Sequence, residues 1–293
     1  MARLNPQRGV LAPLPASASF VTLSLLPNAN AVDARACLAT LPADGQVLLG
    51  LGAPLLDGTR GIPGLQAFPT TMPLFPATQG DVWLRLSHTD ASKRHDAAST
   101  LLHALRSHFQ VQEEVAAFVY KKGRDLSGFK DGTENPKGSA ASTAALVRGA
   151  GPGLDGGSFV LAQRWVHDLD TLRAMDPDAR DHVVGRKLSN DKELPDAPPS
   201  AHVKRTAQEN FTPTAFMVRR SMPYSNFQGE GLYFVAFVST LNAPLAMLRR
   251  MAGREDGVVD ALFTYSRAAS GGFYWCPPLK DGRFDLRAVR AAG

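Results

Sequence analysis

At 293 residues, 44% of them hydrophobic, the chain is long enough for one large core or two stacked ones. Its 32 basic and 27 acidic residues leave a formal net charge of +5 with the signs interspersed, which argues against nucleic-acid and membrane partners. The two cysteines, Cys37 and Cys276, stand far apart without a CxxC, so they read as buried thiols of a reducing compartment rather than a disulfide framework or an iron–sulfur site.

Residues 1–8 carry no twin arginine and lead into no uninterrupted apolar segment, and no apolar run reaches membrane-spanning length, so a cytoplasmic location is expected. Residues 19–26 read as a strand, 31–41 as a helix and 46–51 as a strand. Val82, Leu84 and Leu86 alternate in the strand manner across residues 81–87. A helix follows over 90–109, with Ala97, Leu101, Leu105 and Phe109 at helical spacing, and 115–120 is the next strand. That order is β-α-β-β-α-β. After a Gly/Ala/Ser-rich connector over 137–157 it restarts, with a strand at 159–166 and a helical stretch at 168–186 broken at Pro177. Strands at 215–220 and 232–238, a helix at 244–251 and a last strand at 272–276 complete it. The pattern predicts two α+β units of about 140 residues each, both with helices layered on an antiparallel sheet.

Where the first unit ends, Gly128-Phe129-Lys130-Asp131-Gly132-Thr133-Glu134-Asn135-Pro136 gathers glycines, an asparagine and a proline around the carboxylate of Asp131. The glycines permit tight turning and close approach to a ligand, and Pro136 keeps any helix from absorbing the loop. By itself the Asp-Gly pair also fits a plain β-turn. His202 follows a polar, proline-rich stretch, and Arg219 closes an apolar, strand-like run that continues Arg220-Ser221-Met222-Pro223-Tyr224. In an extended segment Arg220 faces the opposite way from Arg219. His88, His95, His103, His108, His167 and His182 read as ordinary solvated or core imidazoles. Asp260 opens the apolar turn Ala261-Leu262-Phe263-Thr264-Tyr265, where it also fits a helix N-cap.

Together these segments resemble dye-decolourising peroxidases, in particular the B-type with its G-F-x-D-G-T-x-N-P loop, a ligand histidine, an R-x-S-[LM]-P-Y segment and a closing Gly-aromatic-Pro strand. The motifs occupy about 40 residues within 128–278, while the likeness extends over most of the chain. The resemblance implies an α+β fold of two tandem ferredoxin-like domains, 1–137 and 138–293, with one haem b per chain held mainly by the second. It implies His202 as the iron ligand and Asp260 as the acceptor of a hydrogen bond from the far ring nitrogen, which fixes the tautomer and stabilises high oxidation states. Asp131 and Arg219 become the catalytic pair: the carboxylate relays the peroxide proton and the guanidinium stabilises the anion as the O–O bond breaks. An oxoferryl intermediate would then take single electrons from phenols, dyes or other small aromatic donors.

Asn135, Arg186, Ser221 and Phe234 resemble positions around the cofactor, with Asn135 either orienting the distal loop or contacting a propionate. Each also has an ordinary reading: a turn cap, a helix-end arginine, a strand hydroxyl, a core aromatic. Phe237 shares the choice of wall or core. Tyr120, Trp165, Tyr224, Tyr274 and Trp275 are candidates for carrying electrons to bulky donors at the surface. Homo-oligomers are common in the family, and some relatives are packaged in encapsulin shells, but residues 279–293 lack the Gly-Ser-Leu pattern of such tags. Two other classes fit parts of the sequence: a protein that stores, transfers or strips haem without peroxidase turnover, and a cofactor-free α+β binding module.

Overall fold

The computed structural model describes residues 4–289 except positions 58, 60 and 228, so the readings of the two termini fall partly outside the described residues. A short helix α1 (Arg8–Leu11) leads into β1 (Ser17–Leu25), α2 (Ala31–Ala39), β2 (Val47–Gly52), β3 (Val82–Ser87), α3 (Ala91–Leu105) and β4 (Phe109–Phe118). The second half begins with α4 (Gly138–Ala145), β5 (Ser158–His167), α5 (Leu169–Ala174), α6 (Pro177–Val184) and α7 (His202–Arg205). It continues with β6 (Val218–Arg219), β7 (Met222–Asn226), β8 (Gly229–Val238), α8 (Asn242–Met251), β9 (Ser266–Ala268) and β10 (Gly272–Cys276).

Strand order is β4-β1-β3-β2 in the first half and β7-β8-β5-β10 in the second, with every pairing antiparallel. Counted from its own first strand, each half has the same order, that of a ferredoxin-like β-α-β-β-α-β unit. The two α+β units expected from the sequence are therefore present. Their sheets join edge to edge: β2 pairs with β10 and β4 with β7, closing eight strands into one barrel. Closure leaves β6 as an addition on β8 and β9 as an addition on β5.

Alternation along each strand decides which residues fill the barrel. Phe20, Leu48, Trp83, Val160, Tyr233, Phe237 and Tyr274 form one buried cluster inside it. There the Tyr233 ring stacks on Phe20 at 4.2 Å and its hydroxyl accepts from Trp83 Nε1 at 3.1 Å. The intervening residues, among them Val21, Leu49, Leu84, Leu161, Trp165 and Val238, belong to a second cluster on the outside. Leu38 of α2 and Leu101 and Leu105 of α3 cover the first half, and Met247, Leu248 and Met251 of α8 cover the second. Each such side chain contributes about 1.5–3 kcal/mol by leaving water.

Several boundaries differ from the sequence reading, for local reasons. Asp90 caps α3 through Lys93 N at 3.0 Å, but the helix ends at Leu105, and Phe109 starts β4 instead of extending the helical stripe. Ala98, not Ala97, is the buried alanine of α3. Pro177 does not interrupt a helix; it starts α6 at a position where no N–H is needed. The expected strand over 215–220 shrinks to Val218–Arg219, and β7 takes over from Met222, its Pro223 having hidden it from the pattern. Both cysteines are free, and no helix among the described residues is long and apolar enough to cross a membrane.

Candidate active site

The outer face of β5 and β8 is not fully covered by helices. Between it, α7, α8 and the 125–134 loop lies a cavity of about 290 Å3. Leu161, Gln163, Trp165 and His167 line it from β5, Leu232 and Phe234 from β8, and Met247, Leu248 and Met251 from α8. Asp131, Arg219, His202 and Arg186 all border the same space, so the residues singled out in sequence converge although they are up to about 90 positions apart.

Asp131 is delivered by a loop that two glycines shape. Gly128 and Gly132 take φ of 91° and 72°, in the region that side chains disfavour. A Cβ on Gly132 would lie 2.7 Å from Nδ2 of Asn135, so the glycine is also required for that approach. The Asn135 side chain in turn acts as a strand partner for Arg219: its Nδ2 donates to Arg219 O at 3.0 Å and its Oδ1 accepts from Arg219 N at 2.8 Å. The result places Arg219 Nη1 3.7 Å from Asp131 Oδ1, with both side chains largely buried. Arg220 faces away as expected, donating to Leu11 O and Ala12 O at 2.9 and 2.7 Å.

His202 opens α7, and Asp260 precedes the 3-10 turn Ala261–Thr264. Asp260, 1% exposed, makes both of the contacts read for it. Its Oδ1 accepts from Leu262 N at 2.9 Å, capping the turn, while Oδ2 meets Nδ1 of His202 at 2.8 Å. A second tie, Ala261 N donating to Ser200 O at 2.7 Å, fixes the turn to the start of α7. In the tautomer that donates from Nδ1 to the carboxylate, Nε2 keeps its lone pair, the atom a metal needs.

The remaining expectations divide. Arg186 lines the cavity but is already engaged, with Glu134 at 3.0 Å, Glu193 at 3.5 Å and Asp191 O at 3.1 Å. Phe234 lines the cavity, whereas Phe237 packs inside the barrel. Ser221 and Asn135 border a small adjoining space of about 40 Å3, which Asp131 and Arg219 also touch. Of the five proposed electron carriers, Trp165 lines the main cavity, while Tyr224 and Tyr274 lie in the barrel cluster. Sequence reasoning missed Asp125, Gln163, His167 and Tyr265, which also line it. His167 shares a strand face with Gln163 and Trp165, a period-two signal that was available.

The electrostatics of this polar corner are marked. Burial alone would raise the Asp125 carboxyl, but the His167 charge and hydrogen bonds from His167 and Ser127 hold it below the ordinary carboxylate range. Burial pushes the Tyr265 hydroxyl well above the usual phenol value.

The family model described as Dyp-type peroxidase, C-terminal, matches residues 122–281, more than half of the chain and all of the segment that builds this cavity. The chain belongs to the Dyp-type peroxidase family. The dye-decolorizing peroxidase of Mycolicibacterium paratuberculosis is 30% identical over 210 residues, covering 70% of this chain and 59% of that protein. That of Mycobacterium tuberculosis is 30% identical over 210 residues, covering 70% of this chain and 63% of its own length. The matched part of the chain thus spans about three-fifths of these curated relatives. Among solved structures, a dye-decolorizing protein from V. cholerae has 27% identity and a TM-score of 0.81, over 92% of this chain and 96% of that one. A DypB variant of Rhodococcus jostii in complex with haem has 27% identity and a TM-score of 0.83, over 94% and 97%. The two halves of this chain share one continuous sheet.

Proposed function

We propose that the chain is a haem-dependent peroxidase that reduces hydrogen peroxide and oxidises dyes, phenols or other one-electron aromatic donors. The observation that carries this reading is the meeting of three groups on one cavity: His202 backed by Asp260, and the Asp131–Arg219 pair. The residues present fit haem b, one per chain. The cavity wall is largely apolar, as a porphyrin requires, and two buried atoms on it, Gln163 Nε2 and Arg219 Nε, have no hydrogen-bond partner among the described residues.

His202 Nε2 would hold the iron, with Asp260 supplying negative charge behind the ring. Phe234 would form part of the wall. Arg186 would face a carboxylate side chain of the porphyrin, since its engaged contacts leave guanidinium donors to spare. Asn135 serves the site by positioning Arg219, and Ser221 borders space wide enough for water next to Asp131. When bound, the haem would supply the redox chemistry that splits peroxide. The chain's own part is to move a proton at Asp131 from one peroxide oxygen to the other, and to stabilise the developing negative charge with Arg219, which is always charged. The division at 137/138 makes this a site shared by two units, the first supplying Asp131 and the second His202, Arg219 and Asp260.

The free cysteines are in keeping with a cytoplasmic location, and the family likeness with a homo-oligomer that light scattering would detect. Stopped-flow mixing of the haem-loaded protein with peroxide tests the catalytic roles: Asp131→Ala and Arg219→Leu are expected to slow the reaction about 100-fold or more. Unchanged rates in both variants remove these residues from the mechanism. A haem-handling protein would need no convergence of Asp131 with Arg219, and absence of peroxide-dependent phenol oxidation would favour that reading.

A further inference from the structure

We infer that Asp125 and His167 form a buried clamp that holds the Asp131 loop in register with the barrel, which makes His167 a positioning residue for Asp131. This rests on the role given to Asp131 above. The loop and the rest of the site come from different halves of the chain: residues 125–135 follow β4, whereas Arg219, His202 and Asp260 belong to the second half. Asp131 itself meets Arg219 through one loose contact of 3.7 Å, and the hydrogen bonds from Asn135 to the Arg219 backbone and from Gln208 Nε2 to Glu134 O fasten only the far end of the loop. The links Arg124–Asp191 at 2.7 Å and Arg186–Glu134 at 3.0 Å have a partly or largely exposed member, so solvent screens them.

The Asp125–His167 contact, 3.2 Å long, is of another kind, because both residues are buried. Asp125 organises the start of the loop. Its N–H donates to Phe129 O at 2.8 Å, and its carbonyl accepts from Gly128 N at 2.9 Å. Its Oδ2 accepts from Ser127 N at 3.1 Å and Ser127 Oγ at 2.5 Å. His167 completes the connection from the last position of β5. Its Nε2 faces Asp125, and its Nδ1 meets Ser266 Oγ of β9 at 2.7 Å, across a backbone pair that joins the same two residues. The Tyr265 ring packs beside it at 5.7 Å. Both ring nitrogens are therefore tied, one to the barrel and one to the loop.

Removing the imidazole leaves a buried carboxylate short of a partner, and a group in that state seeks water. The barrel cannot yield, because β5 is paired with β8, β9 and β10. The loop yields.

The test compares the holoprotein with its His167→Met and His167→Gln variants by backbone hydrogen exchange and by the rate of reaction with peroxide. Methionine fills the space without donating, and glutamine keeps a donor for Asp125. His167→Met is expected to speed exchange of amides within 127–135 by about tenfold or more while β5 and β8 keep their protection, and His167→Gln to restore most of the loop's protection. The peroxide reaction should slow in parallel with His167→Met, and that variant should add no further slowing in an Asp131→Ala background. If His167→Met does not fold, Ser266→Ala and Asp125→Asn are read the same way. Unchanged loop exchange in a folded variant, or a loss of protection spread evenly through the barrel, overturns the inference. Exchange is measured without turnover, so a loosened loop in a protein with no peroxidase activity would refute the functional reading and leave the clamp standing.

Discussion

Asp260→Asn alters the support behind His202 with almost no change in volume. The carboxylate accepts at both oxygens, from Leu262 N at 2.9 Å and from His202 Nδ1 at 2.8 Å. An asparagine has one acceptor oxygen, so one of these two donors must face an N–H. If the oxygen stays with Leu262, the imidazole loses both its acceptor and the negative charge that strengthens Nε2 as a ligand. The buried, unsatisfied N–H alone costs about 1–3 kcal/mol. Loss of such an outer partner weakens metal binding about 10–100-fold. Oxidised iron carries the greater charge, and if the loss falls wholly on that form the one-electron midpoint rises by about 60–120 mV. Spectroelectrochemical titration of the haem-loaded protein measures this shift directly. An unchanged midpoint in a variant that folds and binds haem would refute the reasoning about the His202–Asp260 pair.

Gly132→Ala places a Cβ 2.7 Å from Asn135 Nδ2 at a φ of 72°, and should cost about 1–3 kcal/mol while slowing peroxide reduction through the displaced Arg219; wild-type thermal stability and rate together would contradict it. Asn135→Ala leaves the backbone N–H of Arg219 without its partner and its C=O with only Arg220 Nη1 at 3.0 Å, and is expected to cost about 1–3 kcal/mol in denaturant unfolding, with no loss contradicting the strand-partner role. Asp125 sets a pH dependence: its folded carboxyl lies below the ordinary range, so its stabilisation is complete above about pH 4 and fades as pH falls through the folded value. The stability gap between wild type and Asp125→Asn should accordingly shrink as pH falls below about 4, and a gap independent of pH would show the pair to be uncharged.

The repeated β-α-β-β-α-β order was legible because short apolar strand-like runs alternate with helical segments along the chain, most plainly at Val82, Leu84 and Leu86 of β3. Closure of the two sheets into one barrel was not, since edge pairing such as Ala117 with Tyr224 or Trp275 with Leu51 leaves no local mark. Asp131, His202, Arg219 and Asp260 were singled out through motif context, and the geometry brings all four together. Asn135 was read as orienting the loop, contacting a propionate or capping its own turn; its amide pairs with the backbone of Arg219, a contact across 84 positions that no spacing encodes. His167 was set aside because a single histidine carries little information. Its weight comes from Asp125 and Ser266, one on a loop and one on a neighbouring strand.

The most direct test is an absorption titration of wild type and His202→Ala with haem, followed by one equivalent of peroxide. Wild type should bind one haem per chain with a Soret band that shifts on addition of peroxide, and His202→Ala should lose the ligand signature and the shift. Identical spectra and peroxide responses in the two proteins would contradict the central claim that His202 would hold the iron in the cavity it shares with Asp131 and Arg219.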